Sequence, residues 1–420
     1  MLVEIIGLGY VGLPTAVLLA SNGHKVIGVD INQRLLQSVQ NRSYHIEDDI
    51  LEKMFKKIDQ DSFYVTDKVL DADVFIVAVP TPVKDKKMDF THLESACINI
   101  SKVLKNGDLV IIESTITPGT TSGIVKYWLE QSGLQAGKDF SLAHVPERVQ
   151  PGNLYKELTE NDRIVGGIDQ LSSNRAKNIY ESFVLSNIEI TDSVTAETAK
   201  VMENTYRDIN IAIANEFLIL CEKVGANPWE AINLANRNPR VNILKPGPGV
   251  GGHCIPVDPW FLVEKAPEDS FLIQAARRRN DYMPRKVVED IKQILDVISG
   301  KHVSLLGCTY KADTSDDRES PAKSIVRYLE EESFSFNIYD PNVNRNWPNL
   351  KQSIKDSISE CDLIVLLVPH KEFLKITPEE LRDVTSCRTI YDCTGSLSSD
   401  IWKNEGFNLV TIGDLKQFIN

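Results

Sequence analysis

Gly7-Leu8-Gly9-Tyr10-Val11-Gly12 stands between an apolar run of strand length, Leu2 to Gly7, and a helix-like apolar stretch, Val11 to Asn22. Glycines at this spacing suit a tight strand-to-helix turn, a close approach to pyrophosphate and close packing of helix on strand. A second short run, Lys25 to Asp30, ends in an acid. A carboxylate there accepts hydrogen bonds from ribose hydroxyls and repels a 2′-phosphate. The pattern predicts a Rossmann-like domain binding NAD rather than NADP through Gly7, Gly9, Gly12 and Asp30, with Arg34 as the nearby cation that would favour the phosphate. The apolar N-terminus does not read as a signal peptide, because it lacks a basic start and carries Glu4.

Further apolar runs, Asp73 to Pro80 and Leu109 to Ser114, alternate with helical stretches, which predicts a parallel sheet covered by helices on both faces. From about Thr191 the texture becomes helical. Val194 to Gly225 reads as one long helix stopped by Gly225, Pro228 to Asn236 as a shorter one, and Ser270 to Ile298 as a helix broken near Pro284. From Lys301 the first texture returns: a strand at His302 to Leu306, a helix at Pro321 to Glu332, and a strand from Phe336 ending in Asp340. Cys361-Asp362-Leu363-Ile364-Val365-Leu366-Leu367-Val368-Pro369 echoes Ala72-Asp73-Val74-Phe75-Ile76-Val77-Ala78-Val79-Pro80. The expected fold class is α/β: two Rossmann-like doubly wound parallel-sheet domains, 1–190 and 299–420, joined by a central helical domain, 191–298. The long helix exceeds what one small domain needs and predicts a homodimer.

A formal net charge of −13 argues against nucleic acid as a partner and for a cytoplasmic protein. The seven cysteines are scattered without a CxxC pair, which fits a reducing compartment and predicts no metal. No run is long enough to span a membrane.

Cys254 follows Gly247-Pro248-Gly249-Val250-Gly251-Gly252-His253, and Asp258 comes four residues later. A backbone this rich in glycine approaches a ligand closely, so the thiol at its end is placed to attack one. A nucleophilic cysteine beside a nicotinamide site suggests oxidation through a thioester. Lys200 and Asn204 lie four apart on the long helix and share a face; they either stabilise an oxyanion or form an ordinary solvated face. Glu147, in Val145-Pro146-Glu147-Arg148 after the strand Ser141 to Ala143, is either a ligand-crevice carboxylate or a surface acid. Asp258 orients a water, helps ionise Cys254, or forms a turn before Pro259. Lys311 and Arg318 make a basic loop ahead of the Ser320-Pro321 helix start, a candidate anion site. Arg277-Arg278-Arg279 reads as a solvated helix face.

Taken together, Gly7 to Pro14, Val79-Pro80-Thr81-Pro82, Glu113-Ser114-Thr115, Pro146-Glu147-Arg148, Glu203 to Asp208, the Cys254 loop, Tyr310-Lys311 and Arg318 to Pro321 resemble the UDP-glucose/GDP-mannose dehydrogenases over essentially the whole chain. Arg240-Val241-Asn242-Ile243, Gly251-Gly252-His253-Cys254, Val257 to Phe261 and Pro151-Gly152-Asn153 look most like the branch acting on UDP-N-acetylhexosamines, with the manno configuration favoured over the gluco one. The resemblance implies an NAD-dependent oxidation of the sugar C6 for cell-surface polysaccharide precursors, with UDP-sugar bound by the C-terminal domain. It implies Cys254 as nucleophile, Lys200 and Asn204 at the oxyanion, Asp258 and Thr115 positioning water, and Glu147 as base. Tyr10, Val11, Thr81, Thr115 and Arg318 would join the cofactor site. Arg148, Arg207, Arg240, Asn242, Gly251 and Lys311 would join Glu147, Lys200 and Asn204 around the substrate. Two other readings compete. A 3-hydroxyacid-type dehydrogenase needs neither Cys254 nor a third domain, and a non-catalytic NAD-binding regulator needs no intact constellation of Cys254, Lys200 and Asn204.

Overall fold

The computed structural model describes every residue except 45, 47, 150–152, 345–346 and 420, together with the side chain of residue 417. Pro151 and Gly152, used above to choose the branch, therefore lie outside the described residues. The chain forms two compact units: Met1–Glu203 with Trp260–Asp269, and Asn204–Pro259 with Ser270–Asn420.

In the first unit the strands are β1 Leu2–Ile6, β2 Lys25–Val29, β3 Phe63–Thr66, β4 Val74–Val77, the hairpin β5 Val83–Lys84 and β6 Lys87–Met88, then β7 Leu109–Ile112, β8 Ser141–His144, β9 Arg163–Gly167 and β10 Ile188–Asp192. Eight of them form one sheet in the order β10-β9-β8-β7-β4-β1-β2-β3. All pairs are parallel except β8 with β9. The central strands β4 and β7 are buried at every position, as expected of a parallel sheet covered on both faces. The helix Gly12–Ser21 is buried from Gly12 to Ala20, and Pro14 is tolerated because it sits in the first turn, where its missing N–H is no loss.

The second unit holds a five-stranded parallel sheet of β11 His302–Leu306, β12 Ser335–Tyr339, β13 Leu363–Leu366, β14 Thr389–Asp392 and β15 Asn408–Thr411, in the order β12-β11-β13-β14-β15. The helix Phe271–Ile298 does not break at Pro284. Pro284 is buried, and its Cδ packs 3.2 Å from where a Cβ on Gly249 would stand; that packing offsets the one hydrogen bond the ring removes. Leu218, Met283, Val287, Ile291 and Ile294 share one core with Val303, Leu305 and Ile325. Parts of two helices expected in the middle block thus pack into the core of the second sheet.

The sequence echo has a physical counterpart. Asp73 accepts the N–H of Leu2 at 2.8 Å, and Asp362 accepts those of Lys301 and His302 at 2.7 and 2.9 Å. Each acid precedes a strand and satisfies backbone donors at the start of its neighbour. Likewise Asp30 accepts from Leu8 and Asn32, and Asp340 from Cys308 and Asn342. Gly7 and Gly307 have φ of 97° and 93° and donate to Val29 and Tyr339 at the same 2.8 Å.

Glu4, inside β1, is fully buried; it accepts the N–H of Leu70 at 2.8 Å, while its Oε2 has no partner among the described residues. Burial pushes its carboxyl from 4.5 up to about 8. The native state therefore holds a proton that the unfolded chain releases, and stability falls as pH rises between those values. Glu4→Gln should flatten this loss, by roughly 2–4 kcal/mol across the window. Urea midpoints at pH 5, 7 and 9 test it; parallel pH profiles for the two proteins would refute it.

Candidate active site

The cofactor turn lies at the C-terminal end of β1. A Cβ on Gly7 would stand 2.5 Å from the Ala78 carbonyl oxygen, and one on Gly12 would stand 1.8 Å from that of Gly7. Gly9 has nothing within 4 Å of its Cβ position. Two glycines are thus required by packing, while the third leaves open space of the kind a pyrophosphate needs. Asp30 Oδ2 accepts the Leu8 N–H at 2.9 Å, so the acid is tied to the turn. Thr81 Oγ1 donates to the Thr115 carbonyl at 2.6 Å, bringing two predicted cofactor residues together from the loops after β4 and β7. Tyr10 and Val11 are half-buried in the turn, and Arg34 is exposed in the first turn of the following helix. These residues fit NAD: a glycine cradle for the pyrophosphate and an acid beside it for a ribose.

In the same unit, Glu147 is buried rather than a surface acid. Its Oε2 accepts from Arg163 at 2.8 Å and its Oε1 from the Arg148 N–H at 2.6 Å. Arg148 donates to the Asp162 carbonyl and pairs with Glu203 at 2.5 Å. Lys200 is 8% exposed and forms no ion pair among the described residues, which removes the solvated-face reading for it. His144 lies close enough to feel its charge. Burial chiefly, with that charge added, holds the imidazole down at about 3, so His144 stays neutral.

In the second unit the Cys254 loop is built on contacts that exclude side chains. A Cβ on Gly251 would stand 2.7 Å from both the Glu319 carbonyl and the Tyr310 Cβ. Gly252 has φ of 87°, lies against the Tyr310 ring and donates to the Arg318 carbonyl at 3.1 Å. The Cys254 carbonyl accepts the Asp258 N–H at 2.9 Å, opening the helix Asp258–Lys265. Asp258, 3% exposed, takes a hydrogen bond from Asn204 Nδ2 at 2.6 Å. Asp258 thus stands at the helix start, as the turn-former reading expects, with its carboxylate tied to Asn204. One hydrogen of the Asn204 amide is engaged by that bond. Arg318 is held charged first by its paired hydrogen bonds to Asp316, and Tyr310 and Cys254 lie within its electrostatic reach. Lys311 is exposed, as are Arg207, Arg240 and Asn242. The backbone around Arg240 and Asn242 is fixed by a double exchange between the Asn236 side chain and Ile243, at 2.9 and 2.7 Å.

The reading of Arg277 as a solvated residue is corrected: it is 3% exposed and donates to Asp208 at 2.6 Å, while Arg278 is exposed and Arg279 pairs with Glu216. Asn280 donates to the same Asp208 carboxylate, Asn215 donates to Asn280, and Gly247 donates to Asn215 at 2.9 Å. This chain anchors the first glycine of the Cys254 loop. The periodic apolar residues beside these four concealed them in the sequence, although Asn215 and Asn280 at helix positions between apolar residues were a signal of buried polar pairing.

A doubly wound sheet with this turn and acid defines a dinucleotide-binding protein of the Rossmann type. Models of the UDP-glucose/GDP-mannose dehydrogenase family match the chain three times: the NAD binding domain over residues 1–184, the central domain over 194–282 and the UDP binding domain over 304–399. The chain belongs to this family and is an NAD-dependent oxidoreductase. It is 46% identical to a UDP-N-acetyl-D-mannosamine dehydrogenase of Methanocaldococcus jannaschii, over 98% of this chain and 96% of that one. It is 40% identical to an NDP-N-acetyl-D-galactosaminuronic acid dehydrogenase of Ralstonia solanacearum, over 94% and 96%. A solved UDP-D-ManNAc dehydrogenase from Pyrococcus horikoshii has a TM-score of 0.92 and 39% identity, covering 99% of each chain. Among the described residues no helix is long and apolar enough to cross a membrane.

Proposed function

We propose that this nucleotide-sugar dehydrogenase oxidises C6 of UDP-N-acetyl-D-mannosamine to UDP-N-acetyl-D-mannosaminuronate, a precursor for cell-surface polysaccharide. The observation that carries the chemistry is the Asn204–Asp258 bond beside the glycine-packed Cys254. The substrate rests on relatives of that name at 46% and 44% identity. NAD, when bound, supplies the hydride acceptor for both oxidations. Cys254 adds its sulfur to the C6 aldehyde, giving a thiohemiacetal. Lys200 and Asn204 stabilise its oxyanion. The second oxidation leaves a thioester on Cys254. Glu147 takes a proton from water that Thr115 and Asp258 help to position, and the thiolate departs as the acid forms. Arg148, Arg207, Arg240, Asn242, Gly251 and Lys311 contact the sugar nucleotide, and Arg318 serves the cofactor.

A panel of UDP-sugars offered with NAD or NADP, followed by NADH or NADPH absorbance, tests this. UDP-N-acetylmannosamine with NAD should be fastest, with NADP lower by about 10–100-fold in kcat/KM as Asp30 loses its ribose partner. Faster turnover of UDP-N-acetylglucosamine would move the assignment to that 6-dehydrogenase; equal rates with NADP would remove the role of Asp30.

The enzyme works as a homodimer in this reading. Met202, Tyr206, Ile213, Phe217, Leu220 and Val224 are 39–78% exposed on the long helix Ser193–Val224, at spacings of 4, 7, 4, 3 and 4 that make one apolar stripe. Light scattering at micromolar concentration should give the mass of two chains, and a monomer mass would contradict it.

A further inference from the structure

The base assigned to Glu147 is not alone. Arg163, 4% exposed at the start of β9, places Nη2 2.8 Å from Glu147 Oε2 and Nη1 3.2 Å from Glu113 Oε1. Glu113, directly after β7, is 1% exposed; it also accepts from the Tyr180 hydroxyl at 3.1 Å and from Thr15 Oγ1 at 3.3 Å. The guanidinium lies over the Tyr180 ring at 4.7 Å and the Phe183 ring at 5.8 Å. One fork therefore joins two buried carboxylates, and the chain continues to Thr15 on the helix that opens at the dinucleotide turn.

Resting on the reading of Glu147 as the base for thioester hydrolysis, we propose that Arg163, braced by Glu113, is a positioning residue that fixes the Glu147 carboxylate for that one step. A single guanidinium cannot neutralise two carboxylates, and a buried surplus charge is costly. Burial first, and the charge of Glu147 in addition, raise Glu113 against the pull of Arg163. The shorter contact, 2.8 Å against 3.2 Å, joins Arg163 to Glu147, and Glu113 braces the other arm of the fork. The fork sends a separate nitrogen to each carboxylate, a fixed geometry that the single nitrogen of an ammonium does not reproduce. Fixing Glu147 by its Oε2 leaves lone pairs on both oxygens for water.

The test follows the two oxidations and the hydrolysis separately in the full-length enzyme, with NAD and the UDP-sugar that the panel finds fastest. NADH is read in the first turnover, and mass spectrometry reads the acyl adduct on the Cys254 peptide at steady state. Arg163→Lys should keep first-turnover NADH within about threefold and raise the adduct by about tenfold or more, the scale of one lost charge-assisted hydrogen bond. Glu113→Leu should do the same, and Glu113→Gln, which keeps a carbonyl oxygen to accept from Arg163 and Tyr180, should restore hydrolysis. Equal losses in oxidation and hydrolysis, or no adduct above wild type, would overturn the positioning role. Glu147→Gln separates the two ideas. If it accumulates adduct and Arg163→Lys does not, only the positioning proposal fails. If it does not accumulate adduct, Glu147 is not the base and both fall.

Discussion

Cys254→Ser should stall the reaction after covalent capture, or give at most slow acid formation. Wild type is expected to yield two NADH per acid and release little free aldehyde. Serine keeps the size and a hydroxyl, but its alkoxide forms far less readily near neutral pH and leaves an ester far less readily than a thiolate leaves a thioester. Acid formation should fall on the order of 10³-fold or more, while NAD still binds at the glycine turn, whose residues the substitution leaves unchanged. Cys254→Ala should permit at most one hydride transfer, with aldehyde held or hydrated. The other cysteines give the contrast: Cys97, Cys308, Cys361, Cys387 and Cys393 are buried and Cys221 is half-buried on the long helix, so conservative changes there should cost stability rather than stoichiometry. Two NADH per turnover at near wild-type rate from Cys254→Ala would end the thioester mechanism.

Gly251→Ala should be nearly as damaging, although it removes no functional group. The new Cβ would lie 2.7 Å from the Glu319 carbonyl, 2.7 Å from the Tyr310 Cβ and 2.8 Å from the Pro321 Cδ. Backbone and ring atoms cannot swing aside as a flexible side chain can, so the loop itself must shift. A displacement near 1 Å at a nucleophile costs about 10²-fold in rate. Gly247→Ala is the matched control. Its nearest neighbour would be the Cys393 carbonyl at 4.0 Å, and the N–H that bonds Asn215 remains. Circular dichroism should show both variants folded, with kcat down about 100-fold for Gly251→Ala and within a few-fold for Gly247→Ala. Similar kcat values for the two would show that the loop's position is not what glycine protects.

The parts of this enzyme that local chemistry specifies could be read directly. Strands buried on both faces are mostly apolar, so β1, β4, β7, β11 and β13 announced themselves despite Glu4 in β1 and Ser304 in β11. A turn needing three glycines and a terminal acid leaves a fixed spacing, which made Gly7, Gly9, Gly12 and Asp30 visible. The Cys254 loop was visible for the same reason: a backbone pressed against Glu319, Tyr310 and Pro284 tolerates no side chains. The Asp before each echoing strand was noticed as a repeat, yet its purpose, satisfying the first donors of the adjacent strand, needed the pairing of strands far apart in the chain.

What the chain alone determined, then, is the buried strands, the dinucleotide turn and the glycine-rich setting of Cys254, because each is encoded within about ten consecutive residues. Tertiary structure decided the charges. Arg277 sits in a run of three arginines, and only the packing of Phe271–Ile298 places it, alone of the three, on a buried aspartate 69 residues away. Pro284 marks a helix break locally, but a glycine 35 positions earlier gives its ring a seat. Arg163 lies 16 residues from Glu147 and 50 from Glu113. A lone charge in a sequence looks the same whether water or a carboxylate will meet it. The free energy that distinguishes the two arises only when folding removes the water and leaves one partner within reach.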